Sequence, residues 1–160
     1  MTEKVREAVF ASLNSQGLIE GARVLDLFAG TGAIGIEALS RGARKVVFVE
    51  ADHAAAEVVE ANLGLTGLPG GSIVRADVLR FLQGAGSRAQ RFDLAFADPP
   101  YKFDDWQNLL SVLPAERAVL EWTAVVDPPE GWEVTSTRRY GGSVVTFLRR
   151  ASTDSPASTD

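Results

Sequence analysis

The sequence predicts an α/β fold: a seven-stranded, mostly parallel sheet with helices on both faces and an antiparallel hairpin at its C-terminal end. Three observations carry this. Short apolar runs with no polar alternation recur from Arg23 onward, separated by segments of helical period, which suits parallel strands buried on both faces and joined by crossover helices. A glycine-bearing turn joins the first of these runs to the first helical segment. The last two β-rich runs meet at Gly141-Gly142, which leaves no room for a helix and signals a hairpin.

In order along the chain, Val5, Val9 and Leu13 fall on one helical stripe with Thr2 as N-cap, which predicts a helix within 1–16. Strand runs follow at Val24 to Phe28, Val46 to Val49, Ile73-Val74, Leu94 to Phe96 and Ala118 to Leu120. Helical segments lie between them at 33–41, 52–65, 78–83 and 103–113. The hairpin strands are Trp132 to Tyr140 and Ser143 to Arg150. Residues 1–150 therefore read as a single domain, consistent with a chain of 160 residues. The last ten, 151–160, are Ala, Ser, Thr, Asp and Pro with nothing to bury, and are expected to be a disordered tail.

Composition narrows the chemistry. The chain is 46% hydrophobic and 23% charged, the balance of a globular domain rather than a disordered one. No apolar run approaches the roughly 20 residues that span a bilayer, and Met1 to Glu7 lacks the apolar stretch of a secretory signal, so a cytoplasmic address is expected. With no Cys and only His53, thiolate nucleophiles, iron–sulfur clusters, thiolate zinc sites and two-histidine metal sites are all excluded. No metal is expected. Asp, Glu, Tyr, backbone groups and a bound cofactor must do the work. A net charge of −5 argues against a chain that coats nucleic acid on every side, although local basic clusters can still steer a polyanion.

Two constellations point to chemistry. In Asp26-Leu27-Phe28-Ala29-Gly30-Thr31-Gly32, a strand enters a helix through glycines that let backbone approach a ligand, at the sheet rim where open α/β sheets bind small molecules. The spacing Gly30-x-Gly32-x-x-Gly35 also matches the dinucleotide fingerprint, a weak signal when alone. Glu50 closes the second strand 20 residues after Gly30, where a carboxylate can accept from both hydroxyls of a ribose. Asp77, after the third strand, could bind the exocyclic amine of an adenine, cap the helix that follows, or do both.

The second constellation is Asp98-Pro99-Pro100-Tyr101, directly after the buried run 92–97. Two prolines fix φ and remove backbone donors, so a stiff segment presents a carboxylate and carbonyls beside an aromatic face. A planar, amino-bearing base needs such acceptors. Asp127-Pro128-Pro129-Glu130 acts as an internal control: it has no adjacent aromatic, runs into Gly131, and reads as a plain connection.

These residues resemble the Rossmann-like, S-adenosylmethionine-dependent methyltransferases that act on exocyclic amines, and within them the bacterial RsmD-type enzymes. Further matches are Thr2 to Phe10, Leu25 to Gly32, the run Glu37 to Ala43, and Arg139-Tyr140-Gly141, together covering nearly all of Thr2 to Arg150. The resemblance implies methyl transfer from S-adenosyl-L-methionine to N2 of a guanine in small-subunit (16S) ribosomal RNA, free or in the assembled particle, by a monomer. It assigns catalysis to Asp98, Pro99, Pro100 and Tyr101, with Phe103 as a second stacking ring. Cofactor contacts fall to Asp26, Phe28, Gly30, Thr31, Gly32, Glu50, Asp77 and Val78. The sequence departs from the family in beginning almost at the first helix, where relatives carry a basic, glycine-containing segment.

Three other readings compete. An NAD-dependent oxidoreductase could use the same glycine loop and Glu50, but His53 lies in a surface helix and makes a poor proton donor. An adenine-N6 DNA methyltransferase would need a target-recognition insertion for which 160 residues leave no space. A non-catalytic RNA-binding module would leave the acidic charge and the ligand rim unexplained. Basic residues are scattered, with Arg88 in one loop and the pairs Arg138-Arg139 and Arg149-Arg150 at hairpin strand ends, where they could meet phosphates or simply be solvated.

Overall fold

The computed structural model describes residues 1–84 and 90–152. Arg88 and residues 153–160 of the expected tail lie outside the described residues. The elements in chain order are α1 (Glu3–Ser15), β1 (Arg23–Leu27), α2 (Ala33–Ser40), β2 (Lys45–Glu50), α3 (His53–Thr66) and β3 (Gly71–Arg75). They continue with α4 (Val78–Gln83), β4 (Phe92–Ala97), α5 (Trp106–Val112), β5 (Ala115–Trp122), β6 (Trp132–Tyr140) and β7 (Ser143–Arg150). The seven strands form one sheet in the order β3-β2-β1-β4-β5-β7-β6. β1 to β5 run parallel, while β7 is antiparallel to both β5 and β6.

Side-chain alternation along the strands divides the core between the two faces. Val24, Phe48, Phe96 and Val119 point to one face and bury Val5, Val9, Phe10 and Leu13 of α1, Ala38 and Leu39 of α2, and Val59 of α3. Leu25, Val47, Ala95 and Leu120 point to the other, against Val78 and Leu82 of α4 and Trp106, Leu109 and Leu110 of α5. Thr2 caps α1 as expected, accepting from the Val5 N–H at 3.3 Å. The hairpin closes through Gly141, whose φ of +58° favours glycine, with Tyr140 and Ser143 paired across the turn. The β6–β7 register shifts between Val134 and Ser136, a bulge on the outermost strand.

Three boundaries depart from the sequence expectation. β3 is half exposed rather than buried on both faces, because it is the last strand on its side of the sheet. Phe28 leaves β1 in the left-handed region at φ +58°, ending the strand at Leu27. α5 starts at Trp106 rather than 103, because 99–105 first forms a turn in which the Phe103 N–H donates to the Pro100 carbonyl.

Two sequence signals turn out to build packing. Within the Glu37 to Ala43 run, Arg41 pairs with Glu37 at 3.2 Å and lays its guanidinium over Phe10 at 5.6 Å, tying α2 to α1. At Gly35 a Cβ would collide with Cε1 of the fully buried Phe48 and sit 2.8 Å from Cγ1 of Val46, so its absence lets α2 lie directly on β2. Alanine at position 35 raises helix propensity by about 1 kcal/mol, but overpacking a closed core costs about 1–3 kcal/mol or more. Gly35→Ala should therefore lower stability in urea denaturation, and Phe48→Leu added to it should recover part of the loss; an unchanged midpoint for Gly35→Ala would contradict the packing argument.

Candidate active site

The strands place four carboxylates at one end of the sheet. Leu27 is in register with Val49 and Ala97, and Ala97 with Leu120, so the next residues, Phe28, Glu50, Asp98 and Glu121, form a row across four strand ends. Glu50, Asp98 and Glu121 each follow a residue of the α1-facing set by two positions and share that face, as does Asp26 within β1.

The loop after β1 is held from several sides. The Gly30 N–H donates to Glu50 Oε1 at 2.8 Å, and the Asp52 N–H donates to Oε2 at 2.8 Å. The Ala29 N–H donates to the Val49 carbonyl at 3.1 Å, and Asn62 Nδ2 donates to the Thr31 carbonyl at 2.9 Å. Gly30 and Gly32 have φ of +58° and +83°, so the loop uses glycine where chain direction demands it. Glu50 thus braces the loop while facing the cleft. Asp77 caps α4, accepting from the Arg80 N–H at 3.1 Å, and still lines the cleft.

Three adjoining cavities open at this rim, and Asp98 lines all of them. One of about 410 Å³ is bounded by Phe28, Glu50, Asp52, Asp77, Val78, Asp98 and Pro100. Another, about 220 Å³, runs over the loop from Phe28 to Thr31 and past Ile34 to Asp98. The third, about 120 Å³, lies beyond Asp98 and is bounded by Pro99, Tyr101, Glu121, Trp122, Thr123 and Ser143. Among the described residues, no Lys or Arg lines these three cavities. The N-terminal ammonium of Met1 is bonded to Asp98 Oδ2 and lies 3.4 Å from Glu121 Oε1.

Tyr101 is 79% exposed at the mouth of the third cavity. Phe103 is instead packed between Phe28 at 5.2 Å and Trp106 at 5.0 Å, in an aromatic chain that continues to Trp122 at 6.1 Å from Trp106. Phe103 is held between two other rings, so Tyr101 is the more exposed of the two aromatics. Asp127 and its two prolines form a connection, with the Asp127 carbonyl accepting from Gln107. The basic pairs are mostly absorbed by packing. Arg138 donates to Ser12 Oγ at 3.2 Å over the Phe147 ring, Arg150 donates to the Ala115 carbonyl at 3.0 Å over Trp132, and Arg149 pairs with Glu133. Arg139 is exposed. His53 is also exposed, between Glu57 and Arg75.

Sequence reasoning missed Glu121. It directly follows the apolar run of the fifth strand, as Glu50 follows that of the second, and this was the available signal.

Asp26 is 1% exposed beneath the start of α2, where Oδ2 accepts from the Gly35 N–H at 3.0 Å and Oδ1 has no partner. Burial pushes its pKa up to about 8; the Gly35 bond opposes this, and the charges of Asp98 and Glu50 add to it. An acid whose folded pKa is raised contributes stability that is complete below the unfolded pKa near 4 and is lost as pH rises through the folded value. Wild type should therefore lose stability relative to Asp26→Asn between about pH 4 and 8, by up to about 1.4 kcal/mol per pH unit for one proton. Urea denaturation of both proteins from pH 5 to 8.5 measures this, and parallel profiles would refute it.

Comparison with known proteins gives a consistent picture. The family model described as "Conserved hypothetical protein 95" matches residues 1–149. The Bacillus subtilis protein YlbH, provisionally named an rRNA methyltransferase, is 36% identical over 146 residues, 91% of this chain and 78% of its own length. Ribosomal RNA small subunit methyltransferase D of Escherichia coli K12 is 35% identical over 131 residues, 82% of this chain. The match spans 57% of that relative's length, and the same share of its Haemophilus influenzae namesake. Among solved structures, E. coli YhhF, provisionally named a methyltransferase, superposes with a TM-score of 0.83 at 25% identity, covering 93% of this chain and 85% of its own. The Thermus thermophilus hypothetical protein TTHA0928 superposes with a TM-score of 0.79 at 33% identity, covering 93% and 86%.

Proposed function

Because the chain belongs to the family described as conserved hypothetical protein 95, we propose that it is an S-adenosyl-L-methionine-dependent methyltransferase that modifies the exocyclic N2 amine of a guanine in small-subunit (16S) ribosomal RNA. On this reading it works in the cytoplasm as a monomer, on the RNA or the assembling particle. The observation that carries the proposal is the position of Asp98, which separates an acidic cleft large enough for a nucleoside from a smaller pocket with an exposed tyrosine at its mouth.

The residues present fit the cofactor. S-adenosylmethionine carries a sulfonium and an ammonium, and the cleft opposes them with the carboxylates of Glu50, Asp52 and Asp77. The same features disfavour NAD. Its pyrophosphate would meet carboxylates with, among the described residues, no lining Lys or Arg, and the Gly30 N–H that a phosphate would need is already given to Glu50. Glu50 would hold the ribose hydroxyls with its remaining lone pairs, and Asp77 and Val78 would border the adenine.

When bound, the cofactor supplies an electrophilic methyl on positive sulfur, so the protein needs neither a nucleophile nor a metal. Its contribution is alignment, which can be worth about 7–11 kcal/mol. Guanine N2 is a poor nucleophile because its lone pair is delocalised into the ring. Asp98 and the Pro99 carbonyl, accepting its two N–H bonds, hold the nitrogen pyramidal and stabilise the positive charge that develops there. Pro100 keeps the segment stiff, and Tyr101 stacks on the extruded base.

Measuring cofactor affinity by calorimetry and methyl transfer in single turnover tests these roles. Glu50→Ala should weaken cofactor binding roughly ten- to a hundredfold, since each bond to a charged acceptor is worth about 1.5–3 kcal/mol, with the rate at saturation little changed. Asp98→Ala should keep affinity within a few-fold and slow transfer by about two orders of magnitude. Tyr101→Ala should lower kcat/KM for RNA by the equivalent of about 1–3 kcal/mol of lost stacking, and Tyr101→Phe should be tolerated. Normal cofactor binding by Glu50→Ala, or wild-type transfer by Asp98→Ala, would overturn the assignment. Nucleoside mapping of ribosomal RNA from cells lacking the protein tests the substrate: a small-subunit guanine should lose its N2 methyl.

A further inference from the structure

The third cavity holds more acceptor capacity than one exocyclic amine requires. Glu121 stands beside Asp98 across the β4–β5 register and is only 9% exposed. Its Oε1 lies 3.4 Å from the nitrogen that Asp98 Oδ2 also holds, so the two carboxylates converge within reach of a single N–H-bearing group. The second oxygen, Oε2, is buried and has no partner. A carboxylate in this setting costs stability unless something donates to it. Among the described residues, no Lys or Arg lines this cavity, and the one cation near Glu121 is the Met1 ammonium, which faces Oε1 and leaves Oε2 without a donor.

Which donors a base can offer follows from its edge. Guanine presents its N2 amine beside a ring N1–H, two donors side by side, which matches a carboxylate with two free lone-pair directions. Adenine and cytosine pair their amine with an unprotonated ring nitrogen, whose lone pair would face Glu121 and repel it.

We propose that Glu121 is a specificity-determining residue that accepts the ring N1–H of the target guanine while Asp98 holds the adjacent N2 amine. The inference rests on the function proposed above and adds the reader of the base edge. Burial and the neighbouring charge of Asp98 raise the pKa of Glu121, and the Met1 ammonium opposes the shift.

The test uses the full chain and small-subunit RNA carrying either guanine or 2-aminopurine at the mapped position. 2-Aminopurine keeps the amine on C2 but has an unprotonated N1 and no O6. Wild type should methylate guanine at least a hundredfold faster than 2-aminopurine in single turnover. Glu121→Gln, close in shape but able to donate, should slow guanine transfer ten- to a hundredfold while leaving the 2-aminopurine rate unchanged or higher. Glu121→Asp, which withdraws the carboxylate by one methylene, should slow guanine alone, and it serves as the second variant if Glu121→Gln melts early. Equal losses on both substrates, or a guanine rate unaffected by either substitution, would overturn the proposal. Wild type that binds S-adenosylmethionine yet transfers nothing to any RNA base would overturn the functional reading itself, a result distinct from a loss of selectivity in the variants.

Discussion

Parallel register decides where each strand of this sheet runs out. Because Leu27, Val49, Ala97 and Leu120 stand side by side, the chain reaches the rim at the same depth in β1, β2, β4 and β5. Strand alternation then turns Glu50, Asp98 and Glu121 to one face. A slip of one residue in any pairing would rotate a carboxylate to the opposite face and drive apolar neighbours into water. The hydrophobic core therefore specifies the geometry of the site, and the fold and the chemistry cannot vary independently.

The loop between β1 and α2 shows how such a rim is made rigid without covering it. Glu50 takes backbone donors from Gly30 and Asp52 with its two oxygens, so one carboxylate fixes the ends of two loops. Beneath, the contact of α2 with Phe48 and Val46 sets the height of the helix start. Asp26 is trapped there, bonded to one N–H and otherwise dry. With its pKa raised to about 8 it stays largely protonated at neutral pH, so the negative charge that faces the cleft is that of Glu50, Asp52, Asp77 and Asp98.

Much of this was legible in the sequence because it is local. The Gly141-Gly142 turn bounds two β-rich runs, and the hairpin strands begin and end where that pattern places them. Thr2 and the Val5, Val9, Leu13 stripe locate α1, and the contrast between the two Asp-Pro-Pro segments separates the rim copy from the connection. What could not be read depends on strand order and packing. The exposure of β3 follows from its place at an edge, and the pairing of Asp98 with Glu121 follows from β4 and β5 lying next to each other. Phe103 looked like a free ring until Phe28 and Trp106 closed on it. Of the arginines at the hairpin ends, which the sequence left open to phosphates or solvent, Arg138 and Arg150 instead cover rings, and Arg150 caps a carbonyl, roles that need neighbours distant in sequence.

The irregularity in β6 has its own consequence. Among the described residues β6, nine residues long, is the outermost strand, and an outermost strand presents backbone groups on which another chain could extend the sheet. The register shift between Val134 and Ser136 breaks the even spacing that such growth requires. Charged Glu133, Arg138 and Arg139 flank the break. An edge interrupted and charged in this way is a poorer template for a pairing strand than an even, apolar one.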